Sequence, residues 1–200
     1  MFKINVVVSI IFMCILSTWL CAEDLTKPII IDPDVSQDTA RFVQKITGLF
    51  YADTVIDKRN NAGSDSVGIT RTGRNIYASL VCKNRPDTVL AKSFRKMFSD
   101  VSALAKTRDS AVFRIRAELL TFDIKETNKF LSQEMEATVK IGVTVKHAPN
   151  VSVVKQFSVT SQNVKKAIDT TRYAQNVLQQ ALRDCLQNIL QTISQCKKGD

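Results

Sequence analysis

Side chains able to perform acid–base or nucleophilic chemistry are few in this sequence. It contains one histidine, His147, and the nearby Pro149 predicts that this histidine lies in a turn. The nearest paired carboxylates, Glu134 and Glu136, share one face of a predicted strand, and we interpret them as partners for basic side chains. The sequence has no Gly-x-Ser-x-Gly, His-Glu-x-x-His or glycine-rich phosphate-binding motif. These observations predict a protein that is not an enzyme and that uses no cofactor and no metal.

The cysteines do not predict a metal site or a disulfide framework either. Beyond the first 22 residues there are three, Cys82, Cys185 and Cys196. Three is an odd number, and their spacing matches no zinc motif. Cys185 falls on the apolar face of a predicted helix, so we expect it to be a small buried side chain.

The first 22 residues have the pattern of a secretory signal peptide. Lys3 precedes an apolar run from Val6 to Leu20 that only three hydroxyl side chains interrupt. The run is short for a membrane-spanning helix, although a retained anchor is an alternative. Cleavage after Ala22 is the first expectation, giving a mature protein that begins at Glu23. Acylation of Cys21 is the second, but the bulky side chains before it depart from a lipoprotein signal.

The charge of the chain favours some partners over others. Lysine and arginine number 28 against 19 acidic residues, a formal net charge of +9. An exported basic protein meets an envelope protein, anionic lipid or anionic polymers rather than nucleic acid. The charges form no run of five, so simple solvation is an equally good explanation of the excess.

The strongest structural pattern is a strand that begins near Met135. Every second residue is apolar and the residues between are polar or glycine, which predicts one face on a core and one face in water. A slip of one residue would expose the whole apolar set, so the register is well fixed. The inward set is Met135, Ala137, Val139, Ile141, Val143 and Val145.

Two further strands flank it and predict an antiparallel meander. The preceding strand runs from Val112 to Ile124, and its apolar phase changes near Leu119–Leu120, which indicates a bulge. The following strand begins at Val151, with Lys155 as a polar interruption. We expect charge pairs across the wet face among Arg114, Arg116, Glu136, Lys140 and Lys146.

Two amphipathic helices are predicted, one from Arg85 to about Lys106 and one from Asp169 or Thr170 to about Ser194. Pro86 suits a first helical turn, and both segments carry apolar residues at three- and four-residue steps. Both stripes can be buried if the helices pack on the same side of the sheet. A coiled-coil partner for the second helix is the alternative.

The segments before the first helix carry weaker patterns. Residues 23–41 are predicted to form an extended arm, in which Pro28–Pro33 is suited only to an edge strand. A strand is predicted from Phe42 to Ile56 and ends in a polar loop at Asp57–Gly63. Ser66–Ile76 is a weak strand, and Ile76–Val81 is a strand or the approach to the helix. The predicted fold is therefore α+β over residues 42–196, a mainly antiparallel sheet with two helices on one face, after a signal peptide.

The order of elements resembles the YajG-like envelope lipoproteins and, more distantly, the auxiliary lipoproteins of lipid-transporting ABC systems. The resemblance spans Val43 to Ile193 and is carried by Val55–Arg59, Ser66–Gly68, Phe94–Val101, Phe113–Leu120 and the closing helix. It implies an accessory or structural role without an enzymatic site. Asp57 and Arg59 match the turn at a strand end in that family, and the alternative is an ion pair that only closes the loop.

The leading hypothesis from the sequence is an exported, non-enzymatic accessory protein of the bacterial envelope, periplasmic or anchored through Cys21, that binds a protein or lipid partner. The first alternative is a carrier that holds an apolar ligand between the helices and the sheet. The second is a hydrolase whose converging polar groups the sequence does not display.

Overall fold

The computed structural model describes residues 26–32, 46, 48–73, 76–129, 132–148, 150, 152–167 and 170–195. The predicted signal peptide, Cys21 and Cys196 lie outside the described residues, as does much of the predicted arm. In these ranges seven strands form one sheet and two helices pack on it, so the predicted α+β class is confirmed. The elements are β1 (Thr26–Ile29), β2 (Phe50–Asp57), β3 (Ser66–Gly73), β4 (Ile76–Cys82), α1 (Pro86–Asp100), β5 (Phe113–Lys129), β6 (Ser132–His147), β7 (Val153–Ala167) and α2 (Thr170–Ile193).

The predicted meander is confirmed, because β5 pairs antiparallel with β6 and β6 antiparallel with β7. The β5–β6 register shifts between Leu119 and Thr121, so the predicted bulge lies at Leu120. All six predicted inward residues of β6, Met135 to Val145, are buried. Two long hairpins with one apolar face thus supply the base on which the helices pack.

Both helices cover the same face of the sheet. Their buried side chains form one continuous core with the inward residues of β5 and β6. Helix α2 lies mainly over β6 and β7, and α1 lies over β2. The apolar stripe of α2 packs against the protein's own sheet. In its described residues the helix therefore exposes no apolar stripe to which a coiled-coil partner could bind. The buried residues of α2 are Ala174, Val177, Leu178, Ala181, Leu182, Cys185, Leu186, Ile189, Leu190 and Ile193.

The first helix is shorter than predicted. It begins at Pro86 but ends at Asp100 instead of about Lys106, and Ser102 has a φ of 56°, outside helical geometry. Leu104, predicted on the helical stripe, instead forms an isolated bridge with Phe50. Strand β2 is likewise shorter, because it begins at Phe50 and not at Phe42. The Phe50 ring stacks between Phe98 at 5.2 Å and Phe113 at 4.9 Å, which ties β2, α1 and β5 together.

The sheet also contains three parallel pairings, which the sequence patterns did not predict. Strand β1 pairs with β4 at one edge of the sheet, in agreement with the predicted edge strand. Strands β2 and β3 both pair in parallel with β5, on the side opposite β6. They lie end to end: β2 follows β5 as far as Leu119, and β3 rejoins it at Ile124. The eight residues between, 58–65, form a loop that leaves the sheet and returns to the same edge.

The predicted charge pairs on the wet face are partly wrong. Arg114 lies directly opposite Lys146, because the register that buries the apolar face also fixes this pairing of like charges. Glu118 instead forms the ion pairs: its Oε1 lies 2.8 Å from Lys58 Nζ and 3.3 Å from Arg116 Nη2. The hydrogen bond from Lys58 lowers the pKa of Glu118. Lys155, the polar interruption in β7, turns inward and donates from Nζ to Thr192 O near the end of α2, where a cation is favoured.

Candidate functional site

The predicted Asp57–Arg59 motif is a buried ion pair at the end of β2. Arg59 is only 5% exposed. Its Nε donates to Asp57 Oδ1 at 2.9 Å and its Nη2 to Asp57 Oδ2 at 2.8 Å, the two-pronged geometry that suits guanidinium and carboxylate. The geometry is that of the alternative given from the sequence, an ion pair that closes the loop.

The rest of the same loop completes the arrangement. Arg59 donates further to the carbonyl oxygens of Ser64 at 2.8 Å and Ser66 at 3.2 Å. Asp57 accepts from the backbone N–H groups of Arg59 and Gly63. These hydrogen bonds, led by the one from the Arg59 side chain, lower the pKa of Asp57 to about 2. All three guanidinium nitrogens donate to residues between Asp57 and Ser66, so the motif closes the 58–65 loop.

The return of β3 to β5 depends on one glycine. Gly68 has a φ of +141°, and a Cβ atom added to it would lie 2.2 Å from the carbonyl oxygen of Ile124. No side chain larger than hydrogen fits so close to another backbone. The pairing of β3 with β4 also shifts between Ser66 and Gly68, which marks a bulge.

The bulge at Gly68 exposes an apolar side chain on the outer face of the sheet. Period two alone would place Val67 and Ile69 on the same side, but Val67 is fully buried while Ile69 is 56% exposed. Tyr77 on β4 is 59% exposed, and both residues line an open groove of about 610 Å³ with Gly68 and the 123–126 segment of β5. We call Ile69 and Tyr77 the outer apolar pair. The signal in the sequence was Gly68, since a glycine inside a strand pattern indicates a bulge or a close approach.

The second exposed feature is the free edge of β7. In the described residues this strand ends the sheet order, so its second row of backbone groups meets no strand. Between Gln156 and Val164 the edge carries no charged side chain, a stretch of nine residues. Val153, Val154 and Val164 are exposed along it. A long uncharged edge is a template for pairing with another chain.

The remaining candidates of the sequence have no catalytic surroundings. His147 is the last residue of β6 and not part of a turn as predicted, and its ring packs edge-on against Phe113 at 5.6 Å. Cys82 and Cys185 are free and buried, and burial raises the pKa of each thiol to about 12, so neither is a nucleophile at neutral pH. Across the described ranges, no three His, Cys, Asp or Glu side chains are grouped to hold a metal ion. None of the helices described there is long and apolar enough to cross a membrane.

The fold and these features define a two-layer α+β domain with an exposed outer sheet face and a free sheet edge. A family model described as "uncharacterized lipoprotein" matches residues 51–195, and the chain belongs to that family. It is therefore an exported envelope lipoprotein, which agrees with the envelope location of the leading hypothesis. No curated protein matches the chain.

Solved structures from several bacteria are similar to this chain. Protein XCC0632 from Xanthomonas campestris, of family DUF330, superposes with a TM-score of 0.57 at 12% identity, covering 82% of this chain and 92% of its own. The hypothetical protein CT253 from Chlamydia trachomatis reaches 0.46 at 12% identity, over 75% and 97%. A minor lipoprotein from Acinetobacter baumannii reaches 0.41 at 10% identity, over 56% and 87%. Only the first has a TM-score above 0.5, and at 12% identity it supports the fold alone.

Proposed function

We propose that this protein is a non-enzymatic accessory lipoprotein of the bacterial envelope, of the YajG-like kind, anchored through Cys21 and binding a protein partner. Family membership supports the anchor despite the bulky Trp19 and Leu20 before the cysteine.

The observation that carries the binding role is the free edge of β7. An extended segment of a partner can add to such an edge through main-chain hydrogen bonds, with specificity supplied by alternate side chains. The central stretch offers Gln156, Ser158, Thr160 and Gln162 on its outward side, all without charge. Natural edges are commonly blocked by lysine, and here Lys155 and Lys165 stand only at the ends of the stretch.

The carrier alternative has less support. A ligand held between α2 and the sheet would need space there, but Leu182, Leu186, Val139 and Ile141 meet in that layer with no exposed surface. Binding would require α2 to move away from the sheet, at the cost of an exposed core. A protein partner at the edge requires no such change.

The partner role is tested by crosslinking in intact cells. A photoreactive amino acid at Ser158 on the β7 edge should give a discrete adduct with another envelope protein, and one at Arg95 on the exposed side of α1 should not. Adding Ser158→Lys to a chain with the photoreactive residue at Gln162 should abolish the adduct without lowering the melting temperature, because a charge blocks strand addition. Identical adduct patterns from Ser158 and Arg95 would refute the edge as the binding site.

The anchor is tested separately on the mature protein. Mass spectrometry of the purified chain should find an N-terminal acylated Cys21, and Cys21→Ser should release the protein from the membrane fraction. A mature chain that begins at Glu23 would contradict the anchor and leave the edge proposal intact. The same purified sample should carry no stoichiometric lipid beyond the anchor, which a carrier would.

A further inference from the structure

The outer apolar pair lies close, within the sheet, to the strand that follows the proposed anchor at Cys21. Four strands place residues side by side on the outer face: Thr26 opposite Ser79, Ser79 opposite Ile69, and Ile69 opposite Lys125. The row is exposed throughout, whereas the neighbouring inward residues Leu80 and Ile124 are buried. Thr26 is also the first residue of β1.

Covalent geometry limits how far this row can lie from the membrane. Four residues lie between Cys21 and Thr26, which makes five residue-to-residue steps. A chain extends at most about 3.6 Å per step, so the span is at most about 18 Å. Adjacent strands lie about 4.8 Å apart, which puts Ile69 two strand spacings, about 10 Å, from Thr26. An acylated Cys21 therefore holds the outer apolar pair within reach of the headgroup layer.

The direction of the strands favours contact at one end of the sheet. Strand β1 runs parallel to β4, so it enters at the end where β4 begins. Tyr77 is the second residue of β4 and lies two residues closer to that end than Ser79. The aromatic side chain of the pair is thus the one nearer to the tether.

The side chains suit a bilayer interface better than water. Tyrosine is enriched at membrane interfaces, where its ring is buried and its hydroxyl remains hydrated. Ile69 supplies apolar area, and the exposed Lys125 beside it in the row supplies a cation for anionic headgroups. The groove is open, and Asp123 and Glu126 also line it, so it is a contact surface and not a cavity that encloses an acyl chain.

We infer that the outer face of β3 and β4, centred on Ile69 and Tyr77, rests on the surface of an anionic bilayer. The inference depends on the proposed anchor at Cys21. It orients the domain with the β3–β4 face toward lipid and leaves the edge of β7, at the other end of the sheet order, available to a partner.

A tryptophan reporter in the full lipidated protein tests the orientation. The sequence has one tryptophan, Trp19, which processing at Cys21 removes. Tyr77→Trp and, as the matched control on the far side of the sheet, Arg95→Trp then each carry a single reporter. Both variants are reconstituted in vesicles of phosphatidylethanolamine and phosphatidylglycerol, with and without brominated acyl chains.

The expected result is at least twofold quenching of the residue 77 reporter by brominated lipid, with a blue-shifted emission, and no quenching of the residue 95 reporter. Equal quenching at both positions, or none at residue 77 in protein that floats with the vesicles, overturns the orientation and leaves the anchor standing. Protein that does not float refutes the anchor, and the orientation with it. Concentration-dependent self-association in detergent that buries residue 77 would assign the face to a second copy and also overturn the inference.

Discussion

The two halves of the sheet share one inner face but present different outer faces. Inside, Ile141 in the meander and Leu80 in the β3–β4 half are equally buried in one core. Outside, the centre of the meander shows polar side chains such as Lys140 and Thr160, and its exposed valines lie toward the ends of β7. The β3–β4 half exposes Ile69 and Tyr77. Burial in one core explains why the two inner faces are alike. Folding does not require the two outer faces to differ.

The contrast separates residues kept for stability from residues available for contact. A sheet can expose a polar face without loss, as the centre of the meander does, so an exposed isoleucine and an exposed tyrosine on neighbouring strands are not needed to form those strands. Large apolar side chains that share an exposed groove indicate an interaction surface. The following predictions test each side of the contrast, beginning with the largest effect.

Placing a charge on the inner face of the meander should unfold the domain. Ile141→Asp buries an unpaired carboxylate in the core, at a cost of several kcal/mol that exceeds much of the stability of a domain of this size. Lys140→Asp, one residue away on the outer face, should change the unfolding free energy by less than about 0.5 kcal/mol. Circular dichroism and urea unfolding measure both. Similar effects at the two positions would mean that the inward phase of β6 is wrong.

Removing the carboxylate at the end of β2, which closes the 58–65 loop, should have the next largest effect. Asp57→Asn leaves the buried Arg59 without its counter-ion, at a cost of about 3 to 5 kcal/mol at pH 7. The control is Asp65→Asn, an exposed aspartate of the same loop, which should cost less than about 0.5 kcal/mol.

The pH dependence of the same variant follows from the lowered pKa of Asp57. A carboxyl group with a folded pKa of about 2 and an ordinary value of 3.8 contributes stability above about pH 4 and loses it as pH falls toward 2. The difference between wild type and Asp57→Asn should therefore shrink by about 2 kcal/mol between pH 5 and pH 2. Urea unfolding across that range measures it, and a constant difference would refute the ion pair as its source.

Adding a side chain where β3 approaches the backbone of β5 should lower the stability by a smaller amount. Gly68→Ala places Cβ against the Ile124 carbonyl and should cost about 2 to 3 kcal/mol. Gly142→Ala on the outer face of the meander is the matched control. Its added Cβ meets nothing nearer than 3.6 Å, so the change should be neutral or slightly stabilising. Thermal unfolding of the two variants compares them, and equal melting temperatures would contradict the bulge geometry.

The sequence predicted the meander half well and the other half poorly, for a physical reason. Antiparallel strands joined by short turns are close in sequence and show in its apolar pattern. The alternation around Ile141 and the bulge at Leu120 could therefore both be predicted. Parallel pairing of β2 and β3 with β5 joins segments far apart in the chain, and neither the composition nor the spacing of either segment records it. The outward turn of Ile69 depends on the bulge at Gly68, so period two alone would place it on the wrong face.

The smallest effect is expected on the outer apolar pair itself. Ile69→Thr keeps a β-branched side chain in the strand and removes only exposed apolar area, so the unfolding free energy in water should change by less than about 0.5 kcal/mol. Leu80→Thr on the inner face of the same half should cost several times more, since it buries a hydroxyl in the core. Urea unfolding of both variants makes the comparison within one pair of strands. If Ile69→Thr cost more than about 1 kcal/mol, Ile69 would be a packing residue, the difference between the two outer faces would be a matter of stability, and the membrane-facing role would lose its basis.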